Sequence, residues 1–89
     1  MSKLTDLPNI GKVIAKKLEH IWIHSAEEFL SKNPYETFDT LLRKEDPTLC
    51  RCALASVVGA YCGRKRNLIM KEAVKHYEAT HPKHKWGKC

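Results

Sequence analysis

Cysteine and histidine are the residue types best suited to chemistry in this chain, which has four of the first and five of the second. Cys50 and Cys52 have one residue between them. On a helix their side chains point about 200° apart, so they cannot grip one zinc. His81, His84 and Cys89 lie near one another in the sequence but lack a fourth ligand. Cys62 could act as a nucleophile with a histidine as base. No residue is placed to orient that histidine, and no oxyanion site is visible. Glu72 and His76, four apart, read as a solvated helical pair. No catalytic residue, metal ligand or cofactor is expected, and the protein is not expected to be an enzyme.

The chemistry that remains is electrostatic. The net charge is +6. Residues 63–89 carry eight basic and two acidic side chains, so the whole excess sits in the last third of the sequence. Arg64-Lys65-Arg66 is the densest run. Such asymmetry suggests a polyanionic partner, nucleic acid first.

A second segment points the same way. Leu7-Pro8-Asn9-Ile10-Gly11-Lys12-Val13-Ile14-Ala15 resembles the hairpin of helix-hairpin-helix DNA-binding modules. A tight turn there needs residues tolerant of positive φ. It presents bare amides at a helix start, and these, with the helix dipole, can hold a phosphate. Lys12 and Lys16 add charge. Asn9 replaces the first Gly of the pattern, and its side chain is expected to crowd the amides. Trp22 stands where such modules usually carry Gly, at a cost of roughly 1 kcal/mol if it takes a positive φ. The candidate nucleic-acid-binding residues are thus Asn9, Gly11, Lys12, Lys16, Arg64, Lys65 and Arg66.

These residues must be positioned by helices. Leu4 to Leu7 can form one turn before Pro8. Ile10, Val13, Ile14, Leu18 and Ile21 recur at helical spacing. Ser25 with Glu28 reads as a capping box in which Glu28 returns to the Ser25 backbone. Asn33 caps a helix with Pro34 in its first position and Tyr35, Phe38, Leu41 and Leu42 as its apolar stripe. Asp46-Pro47 predicts a helix over residues 47–62 with Cys50, Leu54, Val57, Val58 and Tyr61 inward, stopped by Gly63. Asn67 predicts the cap of a last helix reaching about Thr80, with Ile69, Ala73, Val74 and Tyr77 inward. No segment alternates like a strand. The expected fold is all-α, a single domain of four to five short helices over residues 1–80. Residues 81–89 read as a basic flexible tail.

Composition agrees. The apolar fraction is 43% and the charged fraction 29%, as in an ordinary globule. No apolar run approaches the ~18 residues of a membrane span. The start has no apolar core like that of a secretory signal, so reduced thiols and a cytoplasmic location are expected.

Leu7-Pro8-Asn9-Ile10-Gly11, Ala15, Leu18, Ile23 and Ser25, with Asp46-Pro47, Cys50, Leu54, Gly59-Ala60 and Gly63, also resemble the C-terminal domain of the TfoX (Sxy) family over residues 3–68. That resemblance implies an all-helical, cytoplasmic, bacterial protein in a context of competence regulation. The leading functional expectation is nucleic-acid binding without sequence specificity. The alternative is a protein-interaction module or weak homodimer, seated on the small residues Cys52, Ser56, Gly59, Ala60 and Gly63. The two differ in whether the hairpin and the basic run share one face.

Overall fold

Local capping chemistry sets several element boundaries in the computed structural model, which describes residues 3–87. A one-turn 3-10 helix spans Leu4–Asp6. Five α-helices follow: α1 (Lys12–His20), α2 (Ala26–Leu30), α3 (Pro34–Lys44), α4 (Arg51–Cys62) and α5 (Arg66–Thr80). No strand occurs among the described residues, as the sequence pattern predicts. They form one globule measuring 37 × 27 × 22 Å. None of its helices is long and apolar enough to cross a membrane.

The Ser25 hydroxyl accepts from the Glu28 amide at 3.2 Å. Asn33 accepts from the amides of Tyr35 and Glu36. These are the expected caps. The Glu28 carboxylate returns one residue earlier than expected, accepting from the His24 amide at 3.2 Å. Gly63 ends α4 at φ 71°. At the end of α1, Ile23 donates to the Leu18 carbonyl and Trp22 to that of Glu19. This is the Schellman pattern, and it puts Trp22 in the left-handed position at φ 65°. Its indole is 69% exposed, with the Lys44 ammonium 5.1 Å from the ring centre.

Three boundaries differ from the sequence expectation. α4 begins at Arg51, not Pro47. Asp46 accepts from the Thr48 amide and hydroxyl instead and pairs with Lys17 at 3.3 Å. That local turn competes with helix initiation. Asn67 does not cap α5, whose preceding residue is Lys65. α1 starts two residues after Ile10, and Val13 in its first turn is 70% exposed rather than inward. Tyr61 is likewise 43% exposed.

The core runs from Leu4, Ile10 and Leu18 through Phe29, Phe38 and Leu54 to Ile69 and Tyr77, all below a tenth exposed. α4 packs chiefly on α5, and α3 packs on α4. Ser56, Gly59 and Ala60 lie buried in this packing. The segment read as a tail is drawn back over the core as far as it is described. Trp86 lies 6.1 Å from Phe38 and 5.3 Å from Tyr77 between ring centres. The Gly87 amide donates to the Leu49 carbonyl. A Cβ at Gly87 would collide with the Thr48 backbone. The tail expectation for Lys88 and Cys89 lies outside the described residues.

Candidate nucleic-acid interface

The approach to α1 and the start of α5 meet at Asn9. Its backbone takes φ 67°, which asparagine tolerates better than other side-chain-bearing residues. Its carboxamide turns away from α1. Nδ2 donates to the Arg64 carbonyl at 2.6 Å, and Oδ1 accepts from the Arg66 amide at 2.9 Å. Asn9 therefore supplies from a distance the cap that Asn67 was expected to give α5. It does not crowd the amides of α1, contrary to the sequence expectation.

Gly59 makes this bridge possible. A Cβ on Gly59 would stand 2.6 Å from Asn9 Nδ2 and 2.7 Å from the Arg64 carbonyl oxygen. Its place in the small-residue stripe is explained by contacts within the chain.

Gly11 caps α1 with an ordinary φ of −93° and no side-chain hydrogen bond. Positive φ, the sequence argument for a glycine here, is needed at Asn9 only. A Cβ on Gly11 would meet nothing within 4 Å among the described residues. Neither conformation nor packing demands glycine there. Lys12, Lys16, Arg64, Lys65 and Arg66 are all exposed. The turn before α1 and the start of α5 are thus joined by the two hydrogen bonds of Asn9. Helix dipoles add positive potential at both starts.

The histidines and cysteines are arranged otherwise. Cys50, Cys52 and Cys62 form no disulfide. No group of three or more metal-ligating side chains occurs among the described residues. His76 stands with its ring centre 4.2 Å from that of Tyr35, a contact between α5 and α3 that the reading of a Glu72–His76 pair did not anticipate. His81 stacks on Tyr77 at 4.2 Å and lies 3.5 Å from Asp39.

These features define a class: a small all-helical protein in which a short turn is hydrogen-bonded to a remote helix start flanked by exposed basic residues. The family model described as "Cdd1: Pathogenicity locus" matches residues 1–88, and the chain belongs to that family. This overturns the resemblance to TfoX, which rested on small and apolar residues at turn and packing positions. Competence regulation, implied by that resemblance alone, goes with it. The fold is similar to a crystal structure of an uncharacterized protein from Listeria monocytogenes, in a triclinic form. The two are 25% identical with a TM-score of 0.78, over 94% of this chain and 99% of that one. No functionally curated protein has significant sequence similarity to the chain.

Proposed function

We propose that the protein binds nucleic acid through the phosphate backbone, without sequence specificity and without catalysis, in the cytoplasm. The observation that carries this reading is the Asn9 bridge to Arg64 and Arg66. It ties the turn that leads into α1 to the segment that carries three consecutive cations. Backbone amides and cations are the groups that contact phosphates. The buried positions of Ser56, Gly59 and Ala60 count against the alternative of a partner or second copy seated on the small-residue stripe.

The test is a duplex DNA titration at two or more salt concentrations. A footprint of three or four phosphates gives a log–log slope of about −3. Replacing Arg64, Lys65 and Arg66 together by Ala should weaken binding alike for all sequences and flatten that slope. If the triple variant stays folded and binds as well as the parent, the reading fails.

A further inference from the structure

Next to the basic run lies an open groove of about 810 Å³ between the start of α3 and the facing sides of α4 and α5. Its floor includes Val58 and Ile69, both almost fully buried. Three aromatic rings line it: Tyr35, Tyr61 and His76. Tyr35 and His76 pack against each other with their ring planes tilted by 33°. Tyr61, almost half exposed at the end of α4, is a large apolar ring that the core does not take up. Lys32 and Arg64 supply positive charge at the groove. Arg64 belongs to both features, for it lines the groove while its carbonyl is held by Asn9.

Aromatic rings over an apolar floor, with cations at the edge, suit a flat, π-faced group attached to an anion. A nucleobase on its phosphodiester has that chemistry. A base inside a duplex is stacked on both sides and cannot enter. Glu72, also in the lining, can accept from an exocyclic amine. The Tyr35 hydroxyl is held above its ordinary range by burial first and then by the nearby Cys62 and Glu72. It therefore stays protonated and can donate. Arg64 is followed by Lys65 and Arg66, both exposed, and three consecutive cations fit a strand with several phosphates rather than a free nucleotide.

We propose that this groove holds an unpaired base of a nucleic-acid strand whose phosphates follow Arg64, Lys65 and Arg66. The ligand is then single-stranded nucleic acid, or a duplex with a single-stranded flank. This inference rests on the nucleic-acid reading above.

Fluorescence anisotropy with the full chain tests it. The probes are an oligo-dA of about 12 nucleotides, within the span of known single-strand sites, and a blunt duplex of equal length, both near 50 mM salt. The variants are Tyr61→Ala, His76→Ala and the triple Ala variant of residues 64–66, each checked for an unchanged urea midpoint. The single strand should bind more tightly than the duplex. Tyr61→Ala should weaken single-strand binding about tenfold, the size of one lost stacking contact, and leave duplex binding within about twofold. His76→Ala should act in the same direction. The triple Ala variant should weaken both probes.

If the parent binds both probes but neither aromatic variant changes single-strand binding, the groove inference falls and the phosphate reading stands. If adenosine monophosphate displaces the oligonucleotide at equal molar concentration, the groove is a nucleotide site and the strand is the wrong occupant. If neither probe binds, both readings fall together.

Discussion

The hydroxyl of Tyr77 donates to Oδ1 of Asp39 at 2.7 Å, tying the last turn of α5 to α3. Tyr77 is 1% exposed. Burial, and then the neighbouring carboxylate, holds its phenol well above the usual range. It therefore remains a donor at any physiological pH. Tyr77→Phe keeps the ring contacts with Phe38 and Trp86 and removes this bond alone. The expected loss is about 1–2 kcal/mol, read as a lower urea midpoint with an unchanged m-value. The low end applies because Asp39 keeps His81 within 3.5 Å. An unchanged midpoint would show that the bond adds nothing in solution.

Asn9→Gly preserves the left-handed turn but deletes both bonds of the bridge. It leaves the Arg66 amide and the Arg64 carbonyl to water, at a cost of about 1–2 kcal/mol. Asn9→Ala should lose roughly 1 kcal/mol more, for the positive φ. Gly59→Ala should lose about 1–3 kcal/mol through overpacking against the same carboxamide. Combining Gly59→Ala with Asn9→Gly should cost less than the sum of the two, because one of the two close contacts is gone and the Arg64 carbonyl, released from Asn9, can shift. Additive effects would disprove the contact.

Gly11→Ser separates stability from binding. A serine at this position can cap α1, worth a few tenths of a kcal/mol over glycine. Thermal unfolding should be unchanged or slightly raised. The new hydroxyl occupies an amide that the proposed phosphate needs, so duplex affinity should fall several-fold. Equal affinity in the two proteins would remove the α1 amides from the interface.

Trp22→Gly should stabilise the protein. Left-handed backbone costs a non-glycine residue about 1–2 kcal/mol, while the exposed indole returns little burial. Glycine gives back part of this through unfolded-chain entropy. The net gain expected is roughly 0.5–1 kcal/mol by urea denaturation. A destabilised variant would mean that the Lys44 contact with the ring outweighs the strain.

The 81–87 segment should loosen in mild acid. Burial first, and then the charge of His81, lowers the proton affinity of His84; Arg51 acts the same way, while Asp39 and Glu78 oppose it. Nε2 of His84 is buried without a partner among the described residues. The folded value lies below the ordinary 6.5, so the unfolded segment takes up the proton more readily. The stabilisation is present above pH 6.5 and is lost as pH falls through the lower folded value. Nuclear magnetic resonance of the Trp86 indole, titrated downward from neutrality, should show this change in the parent and not in His84→Gln. The same titration curve in both proteins would assign the change to another group.

The legible parts of this fold are those decided within one helical turn. Ser25, Asn33-Pro34 and Gly63 each satisfy backbone groups beside them, so residue type alone locates the boundary. Asp46 and Asn67 carry the same local signal and misled, because each competes with something else. Asp46 is engaged by Thr48 and Lys17. The start of α5 is capped by Asn9 instead. The packing of Trp86 and Gly87 had no periodicity to announce it. Asn9, Gly11 and the basic run were singled out one by one, but the hydrogen bonds that join Asn9 to Arg64 and Arg66 had no local signal. Gly59 carried the clue, as a glycine inside an otherwise well-formed helix, where it weakens the helix unless something must come close.

The Asn9 bridge also orders events in time. α4 and α5 are joined by a few residues, so their pairing closes a short loop, whereas Asn9 and Arg66 are 57 residues apart. Distant closures come at a higher entropic cost and form more slowly. During refolding, helical ellipticity should therefore recover before the hairpin is latched onto α5. The protein would acquire its secondary structure first and the Asn9 junction, on which the proposed phosphate contacts depend, last.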